Sequence, residues 1–350
     1  MRRRGLLLAA LLLAAAAWGG LPRGREMGDM ALLRTLGVDR EGEDYVVTAS
    51  TGRRARGLQG EETLEPMVLS ARGGTLSGAL AAMEGLSEQE LFFGYVDQLL
   101  LGESLTEGGA LPVLERFARD SELGLGARLW LIRGSAGAAV GSGGQEGAAA
   151  RLSTLAEDGR LGRGALPRTV GETLTGLLES GCACVPALAM DESGLLLERG
   201  YGVLSSGGLS GWLEGDAARG LELLEGQGTG TVELSAGRAV QVADVRLLWM
   251  PQVENGRIAG AELICRLTAR LEEGAFDPTD RELKQAEGEL SAWGSRCARA
   301  ALDGLRGMGA DCLSLERKLA ALRPLAGDTR GRFAGWELAV ETRANVTRGE

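Results

Sequence analysis

The chain has 350 residues, 56 of them glycine and none histidine, and a formal net charge of −10. Without imidazole, neither a Ser-His-Asp triad nor a histidine base or metal ligand can be assembled. The acidic balance repels phosphate backbones and anionic headgroups, which argues against binding nucleic acid or a membrane surface by charge.

Residues 1–20 read as a leader, with a basic start, an apolar run from Leu6 to Ala17 and then small residues. The run is at the lower limit for crossing a bilayer, so both a cleaved signal peptide and an uncleaved anchor fit it. Residues 30–38 and 45–51 read as a strand pair around a polar, glycine-containing link. A short helix over 76–86 follows. Ser87-Glu-Gln-Glu90 has capping-box spacing and predicts another helical turn toward Phe92. Residues 96–101 read as a buried strand, 111–119 as an amphipathic helix with Pro112 in its first turn, and 127–132 as the strand closing this unit. The Gly/Ser-rich stretch 134–150 reads as a flexible loop. It lacks the Lys-Ser/Thr that a phosphate-cradling loop requires.

Beyond a helix over 169–178 and a strand end at 185–188, residues 195–204 and 209–213 predict a hairpin turning on Ser205-Ser-Gly-Gly208. A helix over 214–224 comes next, then strands at 228–234, 239–249 and 258–271 of an antiparallel sheet. The clearest element is residues 280–308. There Leu283, Ala286, Leu290, Trp293, Cys297, Ala301, Leu305 and Met308 recur three or four apart. A strand over 337–346 ends the pattern. Strands and helices without a regular βαβ rhythm predict an α+β fold, with mixed or antiparallel sheets flanked by helices.

Cysteines number five, so at least one stays unpaired in any intramolecular scheme. Cys182 and Cys184 are too close in sequence to bridge each other easily, and no CxxC spacing points to zinc. The five read as small buried residues. The lysines, Lys284 and Lys318, lie on charged helical surfaces and do not suit a Ser-Lys dyad. No enzyme, cofactor or metal reading survives.

Four segments, in order, carry a resemblance. Arg23-Gly-Arg-Glu-Met-Gly-Asp-Met-Ala-Leu-Leu-Arg-Thr-Leu-Gly-Val-Asp39 is similar to W-D-x-R-E-I-x-D-L-A-x-V-x-x-I-G-I-D. Gly94-Tyr-Val-Asp-Gln-Leu-Leu-Leu-Gly-Glu103 is similar to G-H-L-x-V-x-I-x-G-E. Gly202-Val-Leu-Ser-Ser-Gly-Gly-Leu-Ser-Gly-Trp-Leu213, followed by Ala218-Arg219-Gly220, resembles G-x-A-V-F-K-x-x-K-L-V-G-x-L and its E-x-R-G follower. The fourth is the late helix with its strand-like tail. Together they resemble the C subunit of spore-germination receptors, the Ger(x)C family.

The resemblance implies a leader at 1–20, an N-terminal domain over 21–190 and a C-terminal region over 191–350. It implies a non-catalytic, membrane-associated subunit on the outer face of the spore inner membrane, with polytopic A and B receptor subunits as partners in nutrient-triggered germination. The family's lipid-attachment cysteine has no counterpart, since no Cys precedes Cys182, so a lipid anchor is not expected. Tyr95 stands where the family often has His, and a packed Tyr with a satisfied hydroxyl is expected there.

Candidate interface residues are Glu26, Asp29, Trp212, Arg219 and Gly220. Glu26 and Asp29 read either as surface ion-pair partners of nearby arginines or as part of an assembly segment. Arg219 reads either as a buttress through Glu214 or Asp216, or as a group free to hold a carboxylate or stack on an indole. A reading from another class is an exported solute-binding protein that captures a small germinant or peptide in a cleft.

Overall fold

In the computed structural model, the described residues are 30–348, apart from 52–53, 57–61, 65, 121, 143–146, 163–165 and 275–276. The leader and the candidates Glu26 and Asp29 lie outside them. The elements run β1 (Met30–Glu41), β2 (Asp44–Thr51), β3 (Arg54–Arg56), β4 (Glu62–Leu64), β5 (Val68–Gly73), α1 (Leu76–Glu84), β6 (Glu90–Phe92), β7 (Gln98–Gly102), α2 (Glu103–Glu107) and α3 (Leu111–Arg119). Then come β8 (Arg128–Arg133), α4 (Ala136–Gly141), α5 (Ala148–Asp158), α6 (Val170–Ser180), β9 (Cys182–Met190), β10 (Leu196–Ser205), β11 (Gly208–Leu213) and α7 (Asp216–Leu224). The last part is β12 (Gly230–Glu233), β13 (Ala239–Glu254), β14 (Arg257–Glu273), α8 (Asp280–Gly307), α9 (Leu315–Leu322) and β15 (Glu337–Thr347).

A nine-stranded mixed sheet has the order β11-β10-β9-β8-β7-β1-β2-β5, with β6 also on β1. Its centre is parallel, β1 to β7 to β8 to β9, and its flanks are antiparallel. The pleat divides the core. Leu99, Leu101, Leu129 and Leu131 face one layer with α1, α3 and α6, whereas Leu100, Trp130 and Ile132 face α4 and α5. Burial on both faces explains why these strands read as continuous apolar runs. The buried Trp130 indole is satisfied by donating to Gln98 Oε1 at 2.8 Å.

The second sheet, β12-β13-β14-β15, ends in a parallel pair along β14 and β15. Against it lies α8, begun by a full capping box between Thr279 and Glu282. Its buried stripe includes Ala286, Leu290, Cys297, Ala301 and Leu305, as the spacing predicts. One apolar cluster joins the two sheets, mixing Cys182, Cys184, Tyr201 and Val203 with Ile258, Leu263, Leu302 and Leu305. Two sheets with flanking helices give the α+β arrangement expected from sequence.

Three local readings need correction. Ser87 opens no helix: its hydroxyl accepts from Gln89 N in a turn, and residues 90–92 instead extend beside β1. Sheet pairing overrides the capping-box spacing there. The stretch 134–150 is not a plain loop, because α4 and the start of α5 lie within it. Finally, Tyr95 is not packed away but 52% exposed, with the Arg34 guanidinium over its ring at 5.6 Å.

Candidate interface at the sheet corner

Asp39, at the end of β1, is buried and accepts three hydrogen bonds. They come from Ala136 N at 2.8 Å, Gly137 N at 2.8 Å and Ser135 Oγ at 2.9 Å. Orphan N–H groups at the start of α4 thus meet a carboxylate, which suits both hydrogen bonding and the helix dipole. This contact fixes the glycine-rich segment that reads as a loop from composition. Next door, Glu103 accepts from Gly134 N at 3.1 Å. The first two motif segments therefore meet here, around a concavity of about 450 Å³ lined by Asp39, Arg40, Glu41, Glu103, Glu107 and Ser135. Four carboxylates face the Arg40 guanidinium, and Arg72 pairs with one of them, Glu41, so the lining keeps an acidic balance.

The third motif segment packs beside the same region. The tip of the β10–β11 hairpin is a glycine of positive φ, Gly208, and an added Cβ would fall 2.7 Å from the Glu107 carbonyl oxygen. Farther along β11, Trp212 is half-buried, and the Arg133 guanidinium at the end of β8 lies 4.4 Å from its ring centroid. Arg133 also pairs with Glu214 at 2.6 Å. The stacked, carboxylate-bound arginine expected near Trp212 is thus Arg133. Sequence reading missed it, and its only signal is a charge ending an apolar strand.

Arg219 takes the other acid, Asp216, at 3.5 Å, and its chain lies over Gly162. Asp216 also accepts from Arg296 Nε on α8 at 3.0 Å. Gly220 has a steric role: a Cβ there would fall 1.9 Å from the Cys297 carbonyl oxygen, so glycine allows α7 and α8 to touch. Trp212, Arg219 and Gly220 accordingly have separate partners. They form a hairpin–helix buttress rather than a convergent pocket. Two turns along α7, the buried Glu222 accepts from Tyr201 Oη at 2.7 Å and from Gly162 N at 2.6 Å. Burial, then the Glu222 charge, pushes the Tyr201 hydroxyl well above its ordinary range.

Among the described residues no group of three or more His, Cys, Asp or Glu side chains is arranged to hold a metal ion. None of their helices is long and apolar enough to cross a membrane. Residues 23–190 match the family model described as the spore germination protein N-terminal domain. The crystal structure of the GerBC protein matches with a TM-score of 0.57 at 18% identity, covering 88% of this chain and 96% of that one. At that identity the likeness speaks for the fold. No curated protein matches.

Proposed function

The chain belongs to the Ger(x)C family of spore-germination proteins, and from that premise we propose that it is the non-catalytic C subunit of a nutrient germinant receptor. In this reading it is exported to the outer face of the spore inner membrane, where it assembles or couples the polytopic A and B subunits. The observation that carries the reading is the meeting of three motif segments at one corner of the large sheet. Asp39, Glu103 and the hairpin from Gly208 to Trp212 are far apart in sequence, yet share one acidic, rigidly capped surface.

At this corner, the Trp212–Arg133 stack has the composition of a protein–protein contact, in which Trp and Arg are enriched. The absence of histidine from the sequence and the structural partners of Trp212, Arg219 and Gly220 favour binding over catalysis. Attachment to the membrane would come from residues 1–20 or from the partner subunits.

The test is recovery of a C-terminally tagged chain from detergent-solubilised spore membranes. Co-recovery of two polytopic receptor subunits supports the proposal. Recovery of the chain alone from the soluble fraction sinks it and favours solute capture.

A further inference from the structure

Three of the five cysteines lie together. Cys182 and Cys184 are two apart on β9, so their side chains share one face, in the cluster that joins the sheets, while Ala183 and Val185 face the other layer. Cys312, in the α8–α9 connection, packs against that cluster, and all three line one cavity of about 600 Å³ between α6, β9 and the start of α9. The thiols of Cys182 and Cys184 each perturb that of Cys312.

Independent contacts hold the same two segments side by side. The Ser180 and Ser314 hydroxyls are 3.5 Å apart, and Arg317 donates to Glu179 at 2.5 Å. Cys182 and Cys184 are buried, whereas Cys312 is partly exposed.

We propose that Cys312 and Cys182 form a redox-modifiable pair that takes a small-molecule disulfide as oxidant and closes into a disulfide joining the large sheet to the α8–α9 connection. The deprotonated Cys312 sulfur attacks one sulfur of the reagent RS–SR. The reagent's S–S bond breaks, RS⁻ leaves and takes up a proton, and Cys312 carries a mixed disulfide. The Cys182 sulfur, its proton lost to water, then attacks the Cys312 sulfur and expels the second RS⁻. Two protein thiols become one disulfide while one RS–SR becomes two RSH.

Contact with Cys312, and then burial, push the Cys182 thiol up. Cys182 pulls the Cys312 thiol down, but Cys184, burial and the neighbouring Asp311 carboxylate leave it well above its ordinary range. Asp311 raises Cys182 as well. Because the thiolate is the nucleophile, closure is slow at neutral pH and faster in mild alkali. Closure would fix the contact between the large sheet and the α8–α9 connection.

The experiment incubates the reduced, full-length folded chain with oxidised glutathione and compares it with Cys184→Ser and Cys312→Ser. The expected result is a loss of two titratable thiols and a reducible link between tryptic peptides 169–199 and 307–317. The link should persist in Cys184→Ser and be absent from Cys312→Ser. A Tm raised by oxidation and restored by reductant should accompany it in the wild-type chain alone of the first and last of these proteins. Five thiols still titratable after prolonged incubation would overturn the proposal. So would a link to Cys265 or Cys297, or loss of the link in Cys184→Ser, which would move the partner to Cys184.

Discussion

Gly220 and Asp311 carry structural consequences that differ in kind. At Gly220 the constraint is steric: no rotamer relieves a Cβ set 1.9 Å from a backbone oxygen, so α7 and α8 must separate. Gly220→Ala is expected to cost about 3 kcal/mol, at the upper end for overpacking, read as a lowered urea midpoint.

At Asp311 the constraint is electrostatic. Burial and the Glu316 charge push its carboxyl up to about 6, against the pull of hydrogen bonds from Leu315 N and Glu316 N and of the Lys318 charge. Its folded value lies above the unfolded one, so folding favours the protonated form. That contribution, about 3 kcal/mol from the linkage relation, is full below pH 4 and lost as pH rises through 6. Asp311→Asn should flatten this stretch of the stability–pH curve; an unchanged slope between pH 4 and 6 would count against the assignment. Neither effect is legible in sequence. Gly220 is one glycine among 56, and Asp311 becomes special only when α9 folds back over it.

The elements divide by whether their determinants are local. Helix α8 is readable because its signals, Thr279-x-x-Glu282 and the three–four spacing, lie within itself. Helix α4 is not, because the group that orders it is Asp39, 96 residues from Ser135 along the chain. Ser87 is the reverse case, a local signal overruled by pairing of residues 90–92 with β1.

These differences predict different mutational outcomes. Thr279→Ala should lower stability by about 1 kcal/mol, as loss of a real cap does. Ser87→Ala should change it by less than about 0.5 kcal/mol. Asp39→Ala leaves buried N–H groups unsatisfied at about 1–3 kcal/mol each before relaxation. Hydrogen exchange of residues 136–141 should then accelerate selectively; unchanged protection there would show that α4 is held by packing alone.

At the scale of the molecule, the β10–β11 hairpin and α7 connect the large sheet to the second one. The hairpin contacts α2 and Arg133, and α7 lies on α8 through Gly220. The order of the motif segments was readable, and so was the α+β class. Their meeting at one corner was not, because it depends on the parallel order β1-β7-β8, which no local pattern encodes.

Arg133→Glu is expected to keep the fold, since the pair is partly exposed, while losing the stack on Trp212 and the pair with Glu214. If the corner is the receptor contact, co-recovery of the polytopic subunits should fall at least tenfold with little change in Tm. Full recovery with that variant would place the contact elsewhere.

The parallel pairing of β15 with β14 also bears on the order in which the molecule assembles. The β13–β14 hairpin is local and can form within microseconds, but β15 must wait for α8 and α9 to cross over. Until then β14 presents a long open edge, with Leu263, Cys265, Leu267, Ala269 and Leu271 on its core-facing side. An unpaired edge of that length is a template for another chain. Refolding should therefore lose yield steeply with protein concentration, and a synthetic peptide of residues 337–347 added in excess should restore it by occupying that edge first.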